Sequence, residues 1–330
     1  MNMAGKKDFF AGKTVLVTGG AGSIGRELVK KILSTGVRSV RVLDNNETGL
    51  HDVALDFGDP RIRLLLGDIT NEKRMMRAMQ NVDMVFHTAA LKHVPICEYN
   101  PFEAAEVNVR GTQNCIDAAI ANNVKKLIFI STDKAVSPFN VMGATKLVAE
   151  RLTIAANTYS TSTKFSCVRF GNVLNSRGSV IPIFKKQILS GGPVTITDPA
   201  MTRFIMTIAQ AVDLIIGCAI ETEGDDIFVL KMPSIRIQDL ALAMIGYCHD
   251  SCNSPLDIPL EVIGIRPGEK ISEELISDDE LGKLEDHGKY FVIKRNKSEK
   301  PGFLNFSYSS DSVTTLTQNE IQKILQDNKI

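Results

Sequence analysis

The chain has no cysteine pair at C-x-x-C spacing and no histidine set beside its cysteines, so no zinc site is written into it. Its six cysteines, Cys97, Cys115, Cys167, Cys218, Cys248 and Cys252, read as reduced and mostly buried small hydrophobes. His249 adjoins Cys248, but two neighbours do not make a metal site, and no metal is expected. Net charge is also missing. Lysine plus arginine equals aspartate plus glutamate at 38 each, so no overall field favours nucleic acid or an anionic membrane, and any basic site must be local. No apolar run approaches the roughly 20 residues that span a bilayer. Residues 1–11 contain no apolar signal core, which places the expected product in the cytoplasm. Internal repeats and low-complexity tracts are absent too.

What is present is alternation. From residue 13 to about 172, short apolar runs alternate with helical patterns, as in a parallel sheet covered on both faces. Strands are expected at 14–18, 39–44, 62–66, 84–87, 126–131 and 165–170. Between the first two, Ile24, Leu28, Ile32 and Leu33 form a helical stripe, with Gly36 as its expected stop. Beyond Asn172 the alternation weakens and Gly/Pro punctuation appears. The expected fold class is α/β, a Rossmann-type doubly wound parallel sheet (residues 1–172) with a smaller C-terminal substrate-binding lobe (173–330). Late elements can return to the main sheet, and a Ser/Thr-rich stretch at 307–317 leads to a terminal helix near 320–325.

Thr18-Gly19-Gly20-Ala21-Gly22-Ser23-Ile24-Gly25 follows a strand and opens a helix, the context a glycine-rich phosphate loop requires. Gly19 permits the tight turn, Gly22 lets backbone approach a pyrophosphate, and Gly25 allows close helix packing; Ser23 and Ile24 lie at the helix N-terminus that favours the anion. Asp44 ends the second strand about 20 residues further on, where a carboxylate bonds a ribose diol and repels a 2′-phosphate. NAD is therefore favoured over NADP, with Asn45 beside it in the candidate site. Asp68, in Gly67-Asp68-Ile69, either meets adenine together with Ile69 or caps a helix. Ala89 and Ala90 offer small side chains either to a cofactor or to helix packing.

The strings His87-Thr88-Ala89-Ala90-Leu91-Lys92-His93-Val94-Pro95, Ser131-Thr132-Asp133-Lys134-Ala135, Met142-Gly143-Ala144-Thr145-Lys146, Met201-Thr202-Arg203-Phe204 and Arg266-Pro267-Gly268-Glu269-Lys270 complete the pattern. With them the chain resembles the extended short-chain dehydrogenase/reductases, and within these the UDP-N-acetylglucosamine 4,6-dehydratases of surface-glycan synthesis. The resemblance runs from about residue 13 to about 276. Many members carry a membrane-spanning N-terminal region, and this chain is similar to their soluble catalytic part. The superfamily pairs a tyrosine with a lysine four positions later, so that the lysine lowers the tyrosine pKa. Here Lys146 is present, but Met142 stands where the tyrosine is expected.

The resemblance implies oxidation at sugar C4, loss of the C5 proton with the C6 hydroxyl, and hydride return to C6. By the same resemblance Asp133 is the C6 acid and Lys134 the C5 base. That role needs Lys134 neutral, through burial or nearby positive charge that Lys146 can supply in part. With Met142 in place, the C4 proton acceptor is Thr132, ranked slightly ahead, or Lys146, and retention at C5 is weakly favoured. Met142 can equally be core filler. The family strings also assign Lys92, Arg203 and Arg266 to the diphosphate of UDP-N-acetylglucosamine, Asn172 to the diphosphate or sugar, Glu269 to the uridine ribose, and Gly178, Ser179 and Val180 to uracil. His93 reads as structural. Each lysine or arginine taken singly is also an ordinary surface cation.

Two other functions fit parts of this pattern. A UDP-hexose 4-epimerase shares fold, cofactor and first hydride step but has no use for an adjacent Asp/Lys pair. A catalytically silent dinucleotide sensor is suggested by Met142 alone, against Asp133, Lys134 and Lys146. A homo-oligomer of at least two chains is expected from the family.

Overall fold

The computed structural model describes residues 9–252, 254–295, 308–328 and 330; residues 1–8 and Ser307, both read above from sequence, lie outside these. The short apolar runs inside the sheet become strands because both their faces are covered, while β3, at its edge, is half-buried to exposed. All five residues of β1 (Thr14–Thr18) are buried. It lies parallel between β2 (Ser39–Asp44) and β4 (Met84–His87), with Val15 opposite Val40 on one side and Met84 on the other. β3 (Ile62–Leu66) adds beyond β2, while β5 (Lys126–Ile130) and β6 (Lys164–Arg169) continue from β4. The resulting order 3-2-1-4-5-6 reverses between β1 and β4, which opens a crevice beyond their C-terminal ends.

Past residue 172 the chain leaves this sheet and returns to it. β7 (Asn172–Val173), β9 (Thr202–Met206) and β11 (Ser234–Arg236) make a three-stranded sheet, and β8 (Val194–Ile196) pairs with β12 (Leu260–Val262). β10 (Asp226–Leu230) then joins β6 in parallel. β15 (Tyr290–Lys294) and β14 (Leu284–Asp286) extend the edge antiparallel, for nine strands in all. β13 (Glu274–Ile276) pairs with β16 (Tyr308–Ser309). The main core surrounds the large sheet, and a second core forms around Phe184, Ile188, Leu240, Met244 and Leu325. The region after 172 therefore builds its own core while lending three strands to the first sheet.

Local expectations shift where backbone bonding decides the boundary. The first helix, Ser23–Leu33, stops at a Ser34 cap in right-handed geometry. Gly36 is not its left-handed stop; its carbonyl instead accepts the Gly12 amide at 2.9 Å, where the chain turns back. The terminal helix is longer than expected, Gln318–Asp327, because Thr317 and Glu320 form a capping box. The six cysteines are free, five buried and Cys252 exposed. Among the described residues no helix is long and apolar enough to cross a membrane.

One charged group lies in the middle of this packing. Arg169, at the end of β6, is 1% exposed and donates to both carboxylate oxygens of Glu150 (2.6 and 3.2 Å), to both of Glu280 (3.0 and 2.8 Å) and to the Leu275 carbonyl (2.8 Å). Burial alone would lower the Arg169 pKa, but Glu150 and Glu280 raise it further, so the guanidinium stays charged. Glu150 belongs to the helix Val141–Ala155 and Glu280 to the turn Asp278–Lys283. The cluster thus binds sheet, helix and late chain together. Removing one partner of such a cluster strands buried charge, so Arg169→Met is expected to cost about 3–5 kcal/mol in urea unfolding.

Candidate active site

The chain leaves β5 at Ile130 and turns at once into a short 3-10 turn, Asp133–Ala135, over the mouth of the crevice. Asp133 is buried, and its Oδ1 accepts the Thr132 hydroxyl (2.8 Å), the Lys134 amide (2.9 Å) and the Lys134 ammonium (3.1 Å). Asp133 Oδ2 and the neighbouring Ser131 Oγ are buried without a hydrogen-bond partner. An acceptor kept dry and unpaired is costly unless a ligand completes it.

The helix Val141–Ala155 holds this turn in place. Asn140 caps it, accepting from the Gly143 amide at 2.7 Å. A Cβ on Gly143 would fall 2.2 Å from the Lys134 carbonyl oxygen, so only glycine lets helix and turn touch. Met142 is buried in a small apolar cluster with Cys97 and Ala104. No hydroxyl stands at that position. One turn on, Lys146 lies over the Phe129 ring, 3.9 Å from its centroid, and Nζ donates to the Ile130 carbonyl at 2.6 Å. Burial pulls its pKa down to about 7.

Lys134 departs from the expectation of a neutral amine. Burial alone would lower its pKa, but Asp133 and then Glu273, whose Oε1 is 3.5 Å from Nζ, hold it above the ordinary lysine value. Lys146 contributes nothing to this balance, since its ammonium faces Ile130 instead. The resting pair is therefore an ammonium beside a carboxylate.

The glycine loop forms a cradle of the kind a dinucleotide needs. A Cβ on Gly19, where φ is +65°, would meet the Ala89 amide at 2.7 Å, and one on Gly25 would meet the Gly19 carbonyl at 2.3 Å. Gly22 caps the following helix with no side-chain bond, leaving that helix N-terminus open to an anion. Asp44 is anchored by the Ala21 and Asn46 amides, each at 3.0 Å, with further acceptor capacity on both oxygens. Asn45 donates to Asp68 at 3.1 Å, extending the same polar rim. Asp68 is not a helix cap: Asn71 caps that helix, while Asp68 accepts the Thr70 amide and hydroxyl. Ile69 lies beneath this rim, packed against Gly111.

Comparison with known proteins places the chain. The polysaccharide biosynthesis protein family model matches residues 15–295. The chain belongs to that family. It is 50% identical to an uncharacterized membrane protein of Methanocaldococcus jannaschii over 97% of both chains. It is 39% identical to a UDP-glucose 4-epimerase of Rickettsia rickettsii over 96% of both. Among solved structures, Pen from Bacillus thuringiensis superposes with a TM-score of 0.93 at 42% identity, over 97% of this chain and 99% of that one. The dTDP-glucose 4,6-dehydratase DesIV of Streptomyces venezuelae, solved with NAD bound, gives 0.70 at 23%, over 78% and 86%, a likeness of fold.

Lys92 donates to the Arg177 carbonyl (2.7 Å), and the Arg177 amide donates to Ser23 Oγ (3.0 Å), so the loop before Gly178 spans from the cofactor cradle to the substrate side. Gly178 packs under His93, where a Cβ would meet the ring at 2.2 Å. Ser179 caps the helix that begins at Val180, and its buried Oγ is unpartnered. Asn172 is exposed on β7. Arg266 is exposed, with Glu269 turned back toward its amide at 3.4 Å, and the Gly268 carbonyl accepts from Asn140 at 2.8 Å. Arg203 is buried, donates to the carbonyls of Thr202, Lys270 and Ile271, and has its Nε 3.9 Å from Glu273 Oε1.

Two contributors went unread in the sequence. Asn108, in a π-helical turn (Glu106–Arg110), bonds the Leu91 amide and carbonyl and Thr145, tying the crevice wall to the helix that carries Lys146. Among Glu106, Arg110, Gln113 and Asn114, one more polar residue carried no distinguishing signal in the sequence. Glu273 lies just beyond the Arg266 string, and nothing local distinguishes it from Glu274. For the helix–turn contact, Gly143→Ala is expected to lower turnover roughly 100-fold by displacing Lys134, with thermal unfolding still cooperative, in a steady-state assay of the purified variant.

Proposed function

We propose that this protein is an NAD-dependent UDP-N-acetylglucosamine 4,6-dehydratase, forming a UDP-4-keto-6-deoxy-N-acetylhexosamine. The observation that carries this reading is the buried Asp133–Lys134 pair, 3.1 Å apart and bearing an unpartnered carboxylate oxygen at the crevice mouth. Plain dehydrogenation or epimerisation needs no adjacent acid and base. The glycine cradle and Asp44 support NAD, because a carboxylate at the ribose repels a 2′-phosphate. When bound, NAD takes hydride from C4 and returns it to C6. Lys92, Asn172, Gly178, Ser179, Val180, Arg203, Arg266 and Glu269 are assigned to UDP-sugar binding.

The pair rests with one proton, on Lys134. Passing it to Asp133 Oδ1 creates an amine and a carboxylic acid, the two species that elimination consumes. The Lys134 amine takes the C5 proton while the electrons of that bond form the C5–C6 double bond. Asp133 protonates the departing C6 hydroxyl, which leaves as water, and the pair is again ammonium and carboxylate. Lys134 then returns a proton to C5 as C6 is reduced. The C4 hydroxyl proton, released at oxidation, leaves through Thr132, already donating to Asp133 Oδ1 at 2.8 Å, to solvent, and the same relay returns one proton to the pair after C5 is reprotonated. Lys146, with its pKa near 7, is the other acceptor suited to that proton. Met142, packed in an apolar cluster, offers no second donor at C5, which supports retention. Exposed Tyr99 and Phe102, on short helices packed against the helix Val141–Ala155, support a homo-oligomer.

A 4-epimerase remains the second reading, favoured by the naming of the 39%-identical relative. Proton NMR with UDP-N-acetylglucosamine in deuterated water separates the two. A C6 methyl signal with deuterium at C5 is expected, the ring couplings reporting retention; C4 inversion with the C6 hydroxyl kept would instead establish epimerisation. An unchanged spectrum with NAD bound would point to a silent sensor. Lys134→Ala and Asp133→Asn are each expected to slow methyl formation by roughly 10²–10⁴-fold with NAD binding preserved, read by the same spectra and by cofactor titration.

A further inference from the structure

We infer that Glu273 is a third member of the acid/base cluster, a positioning residue whose buried carboxylate retains on Lys134 the one proton that the Asp133–Lys134 pair needs. This deepens the dehydratase reading and rests on it for its role in turnover. Glu273 is 3% exposed, and its Oε1 is 3.5 Å from Lys134 Nζ and 3.9 Å from Arg203 Nε. Its place does not depend on those cations. The Glu273 amide donates to Ser310 Oγ at 3.0 Å, its carbonyl accepts the Ser310 amide at 2.8 Å, and Ser310 Oγ is fixed to the Thr202 hydroxyl at 2.8 Å. A buried clamp from the far end of the chain thus delivers a carboxylate to the ammonium.

The need for it follows from the pair's chemistry. Asp133 alone faces a lysine that burial pushes toward the neutral form, and a pair that lost its proton would have nothing to give the C6 hydroxyl. A second carboxylate within 4 Å opposes that loss. Arg203, from β9, works in the opposite direction on Lys134; burial, with Asp133, holds the Glu273 pKa above the ordinary carboxylate value, against Lys134, Arg203 and Lys270, which favour its ionised form. Asp133, Glu273, Arg203 and Lys270 are the charged groups that bear on this balance.

The sign is definite. Removing the Glu273 charge lowers the pH at which Lys134 gives up its proton. Competitive labelling with trace acetic anhydride across pH, read by mass spectrometry of the peptide containing Lys134, measures this without substrate. In Glu273→Gln the half-labelling pH is expected to fall by roughly one to three units, the range for an opposite charge at this distance. Glu273→Asp, which keeps the charge but draws it back, is expected to shift it less in the same direction, and carries the test should the glutamine variant not fold. In both variants the high-pH limb of methyl formation is expected to move with the labelling.

An unmoved half-labelling pH in a folded variant overturns the inference. So does a turnover loss equal at every pH, which is what a merely structural carboxylate would give. Failure of the wild-type protein to form the methyl product would overturn the dehydratase reading instead, and the labelling shift tells the two failures apart.

Discussion

The buried guanidinium of Arg169 is the constraint on which the site's assembly depends. It stands at the end of β6, where the parallel sheet gives way to the later chain, and it satisfies two carboxylates from segments far apart in sequence. Each ion alone would be prohibitively costly to bury, so all three must be brought together or none. Their meeting fixes the helix Val141–Ala155 against the sheet and holds the stretch around Leu275 beside β6. Lys146 and Gly143 lie on that helix, and Glu273 lies two residues before Leu275. The same contact therefore sets both walls of the acid/base cluster.

Within those walls each charge is set by burial and by the groups it faces. Asp133 and Lys134 are neighbours in sequence, yet adjacency alone would leave them as a solvated surface pair of little consequence. Burial removes the water that would screen them, the helix presses on the Lys134 carbonyl through Gly143, and Glu273 approaches from a third segment. Lys146 is treated differently by the same fold. It meets an aromatic face and a carbonyl rather than a carboxylate, so burial wins and its pKa falls to about 7. Two lysines twelve positions apart are thus held in opposite states by their partners.

Met142 illustrates how a missing group reshapes a neighbourhood. A tyrosine there would require a polar partner for its hydroxyl, whereas methionine fills a gap among Cys97, Ala104 and Leu91. The hydroxyl nearest the Asp133 carboxylate is instead that of Thr132, which bonds to it at 2.8 Å.

Periodicity and motif spacing were enough to read six parallel strands and the glycine loop with Asp44, because each depends on residues close in sequence whose side chains alternate or cap in fixed ways, while the Asp133–Lys134 pair was singled out by the family resemblance. The helix stop expected at Gly36 was misread, and the choice left open at Asp68 was decided against a cap by Asn71, since competing backbone bonds decide helix ends within a residue or two. Membership in an extended dehydrogenase fold followed from those local strings. The charge of Lys134 did not. It is held up first by Asp133 and then by Glu273, which a buried serine clamp and the Arg169 cluster help carry to within 3.5 Å from a segment over a hundred residues away. Sequence determines which groups can titrate; only the packed structure decides which of them face one another without water between, and so which way each is pushed.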